Sequence, residues 1–263
     1  VDRALSKKHE VEVLRYVFCW KKPWRYFELF RLIYFYFSVN QKNGLLIRNL
    51  ETCLWPSKKN TIYILFHVDS SYSSLGSKAI QLWSWLIFRI FAAKDAPVGV
   101  ISEYWKHYLE TKGYRNVKLI YCSYDFEDYK ISEKDVEEFK VKNQLSQKKI
   151  IYIGNPQKKK GADLAYRALK DIDVTLICSG EGELNIPVQK LKLSFKEYLC
   201  LLKASSLVLT LSRFKEGWNR VAHEALLVGT PVVGSGAGGM LELLSNTHQT
   251  IYSKSDAKDL RDI

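Results

Sequence analysis

Along the chain, short runs of apolar, largely β-branched residues alternate with longer stretches whose apolar positions recur at helical spacing. The apolar runs predict strands at 10–17, 45–48, 61–68, 98–102, 117–122, 150–153, 174–178, 207–211, 231–234 and 249–252. Between them the periodicity predicts helices at 23–37, 78–91, 103–112, 133–142, 161–169, 195–203, 219–228 and 240–245, with another beginning near Ser255. Alternation of this kind implies an α/β protein, because parallel strands need crossover connections and helices fill that role. The charged run 132–149 ends where a fresh apolar strand starts at Ile150. Two domains are therefore expected, 1–146 and 147–263, with both ends of the chain falling inside the fold.

A length of 263 residues agrees with two units at about 150 residues per domain. With 47% hydrophobic and 26% charged residues the chain can bury a core, which excludes disordered and collagen-like classes. The five cysteines, Cys19, Cys53, Cys122, Cys178 and Cys200, form no C-x-x-C pair, which argues against a disulfide framework and a zinc cluster. A cytoplasmic location is expected on that ground.

Net charge changes the picture further. The formal charge is +12, and residues 1–100 hold fifteen Lys or Arg against seven Asp or Glu. Such a field favours phosphates, nucleic acid or an anionic membrane face. No nucleic-acid recognition motif accompanies it, so no nucleic-acid partner is expected. No apolar run approaches the ~18 residues of a spanning helix, and no signal-peptide layout is present. The stretch 21–34 sets Arg25, Glu28 and Arg31 on one helical face and Tyr26, Phe30, Ile33 and Phe37 on another. It reads either as a helix packed on a sheet or as a peripheral contact with an anionic membrane surface at the inner face.

Four features of the second half can carry chemistry. Strand 150–153 runs into Gly154-Asn155-Pro156-Gln157-Lys158-Lys159-Lys160-Gly161, a glycine-bounded turn that opens a helix and places lysine charge beside free amides. Cys178-Ser179-Gly180-Glu181-Gly182 is a strand end with two glycines that let a ligand approach the backbone, or an ordinary turn. Glu216-Gly217-Trp218-Asn219-Arg220-Val221-Ala222-His223-Glu224 sets two carboxylates eight positions apart, one before a helix and one inside its first turns. Finally Gly234, Gly236 and Gly239 satisfy G-x-G-x-x-G, a dinucleotide fingerprint in form, although it lies too late in the chain for a first βα unit.

In this order the four features resemble the retaining family 4 glycosyltransferases of the GT-B fold. Glu216, Glu224, Gly229, Pro231, Val232, Val233, Gly238, Gly239 and Glu242 match that family's paired-glutamate and paired-glycine pattern, and Lys160 stands at its phosphate-binding lysine. One departure is Asn155, where the family usually carries an arginine; Lys158, Lys159 or Arg220 are the candidates to compensate. In the first half, 5–14 looks like the end of a first helix running into a second strand, with the family's first strand missing. Cys122-Ser123 stands where Asn-Gly is usual.

The resemblance implies two Rossmann-like domains with parallel sheets facing a cleft, and metal-independent transfer of a sugar from a nucleotide-sugar co-substrate with retained configuration. Glu216, Lys160 and His67 would be the catalytic groups, His67 being followed in sequence by Asp69. Donor-binding positions would be Gly154, Asn155, Gly180, Gly217, Trp218, Asn219, Arg220, Glu224, Gly238 and Gly239, with Glu224 on the ribose hydroxyls and Glu216 on the donor sugar. Neither a metal nor a resident cofactor is implied, and the acceptor is an unspecified glycan, lipid or small molecule. Two other classes are the alternatives: a non-catalytic sugar-nucleotide or anionic-lipid binding protein, and an oxidoreductase using the G-x-G-x-x-G loop.

Overall fold

The computed structural model describes residues 30, 31, 34, 45–50, 60–68, 94–145, 148–254 and 256–263. The chain divides into two compact units, Val1–Leu46 and Ile47–Ile263. Of the first unit, Phe30, Arg31 and Tyr34 are helical and exposed, in agreement with the helix expected there. The strand expected at 10–17, the helix at 78–91, Asp69, Cys19 and Cys53 lie outside the described residues.

The second unit contains two sheets. The first has the order β1-β2-β3-β4, from Leu46–Asn49, Thr61–Leu65, Val98–Val100 and Val117–Leu119, with β2, β3 and β4 parallel. In β2 every second residue is buried, so Thr61, Tyr63 and Leu65 face a core completed by Val98, Val100, Trp105 and Leu109. Helix α1, Glu103–Thr111, follows β3 directly.

The second sheet has the order β10-β9-β8-β5-β6-β7, and every pairing in it is parallel. Its strands are β5 Ile150–Tyr152, β6 Thr175–Ser179, β7 Gln189–Leu191, β8 Leu207–Thr210, β9 Val232–Gly234 and β10 Thr250–Ile251. All three residues of central β5 are buried, as expected of a strand covered on both faces. The helices are α2 Glu133–Lys142, α3 Ala162–Leu169, α4 Phe195–Ala204, α5 Arg220–Leu227, α6 Met240–Asn246 and α7 Ala257–Arg261. Side chains of α2, α4, α5 and α6 share one apolar cluster with the sheet; α3 and α7 supply the other.

Local chemistry explains where these helices begin. Ser132 with Asp135, and Ser194 with Glu197, form capping boxes at the starts of α2 and α4. Asn219 caps α5 by accepting the Ala222 amide at 2.8 Å. Asp256 caps α7, so that helix begins two residues after the expected Ser255. Strand β7 escaped the sequence reading because it is an edge strand of Gln, Lys and Leu with no apolar run.

The strand order carries the functional consequence. From β5 the chain moves outward through β6 to β7, then returns to pair β8 on the other side of β5. The loops leaving β5 and β8 therefore part at a topological switch point, where open α/β sheets form a crevice beyond their carboxyl ends.

Candidate functional site

After β5 the chain turns through Gly154, at φ 76°, and enters a 3-10 turn, Lys158–Lys160, that ends on Gly161 at φ 78°. A Cβ on Gly161 would lie 2.2 Å from the Leu211 carbonyl oxygen, so a glycine is required both for the dihedral and for the close approach to the end of β8. That approach brings the two loops together. Lys160 Nζ lies 2.8 Å from Glu216 Oε1 in an ion pair whose glutamate side chain is 9% exposed. Ser212 Oγ donates to the same carboxylate oxygen, and Asn219 Nδ2 reaches it at 3.4 Å.

The lysine ammonium also sits 4.7 Å from the centre of the buried Phe214 ring. The His67 ring, just beyond β2, is 5.8 Å from the same phenyl group. Lys160 and His67 thus border one aromatic side chain, and Glu216 joins them through its ion pair with Lys160, although the three come from distant parts of the chain.

The other donor-site candidates fall into two groups around this centre. Asn155 packs its amide where a Cβ on Gly180 would lie, 2.5 Å from Nδ2, so the loops after β5 and β6 are in contact. The main-chain amide of Lys158 is held by Glu183 at 2.9 Å. Gly217, Gly238 and Gly239 form the second group. Glu216 N donates to Ala237 O at 3.1 Å and Gly239 N to Glu216 O at 2.9 Å. A Cβ on Gly239 would lie 1.9 Å from Gly217 O, and one on Gly234 would strike Leu244, Thr210 and Met240. In the G-x-G-x-x-G loop, therefore, Gly234 and Gly239 serve close packing of the protein on itself.

Glu224 is 4% exposed and fully engaged. Tyr198 OH donates to Oε2 at 3.0 Å, Arg220 Nη2 to Oε1 at 3.0 Å, and Tyr129 OH to Oε1 at 3.5 Å. Burial and the nearby carboxylate push Tyr129 up to about 12 and hold Tyr198 well above the usual phenol value. Both phenols therefore remain donors to Glu224. Arg220, a candidate to replace the missing arginine at position 155, is turned toward Glu224.

Trp218 Nε1 donates to His223 Nδ1 at 2.9 Å, and the Tyr124 ring lies 4.3 Å from the imidazole. Burial lowers the His223 pKa, and a neutral ring is what the Trp218 bond requires of Nδ1. Among the described residues no three His, Cys, Asp or Glu side chains converge as a metal-binding group. Also among them, no helix is long and apolar enough to cross a membrane.

Sequence reasoning missed four residues of this constellation: Ser212, Tyr129, Tyr198 and Trp105. Ser212 lies four positions before Glu216, two residues beyond β8, a spacing that offers a weak signal. The other three act across the fold, Trp105 by donating its indole N–H to Glu216 O at 2.9 Å. Nothing in their neighbouring residues marks them.

The fold has counterparts among known proteins. Residues 133–262 match the family described as glycosyl transferases group 1. Over this stretch the chain is similar to a group 1 glycosyl transferase domain. No curated protein sequence matches the chain. Among solved structures, Anabaena Alr3699/HepE, crystallised with UDP-glucose, is similar at 21% identity and a TM-score of 0.62, over 77% of this chain and 60% of that one. Sucrose-phosphate synthase from Thermosynechococcus elongatus is similar at 17% identity and a TM-score of 0.61, over 77% and 57%. WaaG, a glycosyltransferase involved in lipopolysaccharide biosynthesis, is similar at 13% identity and a TM-score of 0.70, over 100% of this chain and 83% of that one. The chain spans about three fifths of the length of the first two. At these identities the likeness establishes the fold, which is GT-B, and the matched stretch contains the six-stranded sheet.

Proposed function

We propose that the protein is a retaining, metal-independent glycosyltransferase that takes a sugar from a nucleoside-diphosphate donor. The observation that carries the reading is the Lys160–Glu216 pair, 2.8 Å apart at the switch point of the six-stranded sheet. A nucleotide-sugar site needs a cation for the diphosphate and hydrogen-bond acceptors for hydroxyls, and these loops supply one of each within contact distance.

In this reading the leaving diphosphate takes the Lys160 ammonium, and Glu216, released from it, accepts sugar hydroxyls. Negative charge that builds on the diphosphate as the glycosidic bond breaks is stabilised by Lys160 and by amides at the start of α5, groups already fixed before reaction. Glu224 holds the ribose hydroxyls, His67 faces the diphosphate from the first sheet, and Gly154, Gly180, Gly217, Gly238 and Gly239 let the donor approach main chain. Anabaena HepE, with UDP-glucose in its crystal, supports a nucleotide-sugar donor by analogy of fold. Peripheral attachment to an anionic membrane face through the basic N-terminal hundred residues belongs to the same proposal.

Asn155 favours a second reading, a sugar-nucleotide binding protein without turnover, because its neutral amide packs against Gly180 and contributes no charge. A binding screen of UDP-, GDP-, ADP- and TDP-sugars, followed by product analysis, decides between them. The transferase reading expects one donor class to bind and to be consumed with its anomeric configuration retained. Binding without consumption supports the second reading, and no binding of any nucleotide sugar removes both.

A further inference from the structure

Glu216 stands between β8 and α5, next to a glycine, where its main chain forms an isolated parallel bridge with Gly238. Its carboxylate can be aimed reproducibly only if its own main chain is fixed: its amide donates to Ala237 O, and its carbonyl takes two donors. Gly239 N reaches the Glu216 carbonyl at 2.9 Å from the glycine loop, and Trp105 Nε1 reaches the same oxygen at 2.9 Å from α1. One carbonyl thus takes two donors, as its two lone pairs allow, one from each sheet's elements. Trp105 is 2% exposed, so this bond is shielded from water.

The surrounding contacts hold α1 in register with the glutamate. A Cβ on Gly217 would lie 1.9 Å from Phe66 O, and one on Gly239 would lie 2.7 Å from Ser102 Oγ. Glu242, in the first turn of α6, accepts the amide of Glu103 at 2.8 Å and the Tyr121 hydroxyl. The start of α1 is therefore capped by a carboxylate from the other sheet's layer. Ser102, the residue at the N-cap, makes no side-chain capping bond, and its Oγ is buried without a partner. Glu242 takes the first amide of the helix, that of Glu103, which lies one residue short of the amides an N-cap side chain reaches, so its contact ties α1 to α6 independently of Ser102.

We infer that Trp105 is the positioning residue for Glu216: docking of α1 locks the 216–217 peptide and thereby aims the sugar-side carboxylate. The inference rests on the reading of Glu216 as the group that holds the donor sugar. It makes the acceptor-side sheet a determinant of how the donor sugar is held, without contact between Trp105 and the donor.

Trp105→Phe keeps an aromatic ring in the core and removes the N–H. Hydrogen exchange of the full chain is expected to quicken by at least about tenfold in segments 214–219 and 236–242 while β8 stays as protected as in the wild type. With UDP and UDP-glucose as probes, affinity for UDP is expected to stay within about twofold, while the extra affinity conferred by glucose falls about tenfold. Should Trp105→Phe not fold, Glu242→Gln weakens the same docking from the surface and is expected to quicken exchange in the same two segments. Unchanged exchange in both segments overturns the inference, as does an equal loss of affinity for both probes, which would mark Trp105 as general core. If the wild type binds neither probe, the UDP-glucose donor assignment fails, and the exchange measurement still decides whether Trp105 fixes Glu216.

Discussion

At Glu216 a single carboxylate oxygen is approached by a lysine ammonium, a serine hydroxyl and an asparagine amide, and the three are not equivalent. The ammonium alone carries charge that a diphosphate can use. Lys160→Ala should lower transfer by at least about 10²-fold, or about 2.7 kcal/mol of charge stabilisation, with thermal unfolding little changed. Wild-type turnover in that variant would remove Lys160 from the phosphate site. Because this charge is built into the chain, transfer is expected to persist in excess chelator. Loss of activity that Mg²⁺ or Mn²⁺ restores would show that a cation does the work assigned to Lys160.

His223 gives a pH prediction at the same scale. Burial lowers its folded-state pKa below the ordinary 6.5, so between the two values the unfolded chain binds the proton that the folded chain refuses. Stability is therefore present above the unfolded pKa and declines as pH falls through that window. Protonation at Nδ1 also ends the bond from Trp218, while the other ring packed on the imidazole, Tyr124, remains a neutral phenol there because its own pKa is raised by burial. Denaturant unfolding at pH 7.5 and 5.5 should show a loss on acidification that His223→Gln reduces. An identical pH dependence in the variant would assign the effect elsewhere.

At the scale of elements, the 3-10 turn after β5 is held by one glycine with two jobs. Gly161 takes φ 78° and leaves no room for a Cβ against Leu211 O. Gly161→Ala should cost about 1 kcal/mol or more in urea unfolding, because strain and a displaced turn act together. It should also reduce transfer, since the residue before it is Lys160. Unchanged stability would mean that the close approach of the β5 and β8 loops does not depend on this residue. The elements themselves were largely legible. Expected strands and helices of the second half reappear with ends moved by a few residues, because apolar period and capping residues are local properties. Edge strand β7 was not legible, since its polar residues fit the sheet only through pairing with β6.

Across the whole molecule, the charge surplus of residues 1–100 predicts an interaction that the short helices and strands do not address. Vesicles with anionic lipid should bind the protein and release it as salt rises, because exposed charges are screened within about 10 Å at 0.1 M ionic strength. Equal binding to neutral vesicles would remove the electrostatic argument, and an absence of binding would remove the membrane proposal.

The sequence by itself determined the α/β class, the parallel sheets and the glycine-bounded turns, since each is written in local pattern, and it singled out Lys160, Glu216 and Glu224 as candidates by their place in a family's pattern. Tertiary structure alone decided that β8 returns beside β5, and hence that Lys160 and Glu216, 56 positions apart, form an ion pair. It decided as well that Arg220 turns to Glu224, that Tyr129 and Tyr198 hold that carboxylate, and that Trp105 reaches a carbonyl 111 positions away. The reason is physical: apolar period and caps are satisfied within one or two turns of chain. A buried carboxylate or carbonyl instead takes whatever donor the packed fold brings within about 3 Å, and no neighbouring residue records which donor that is.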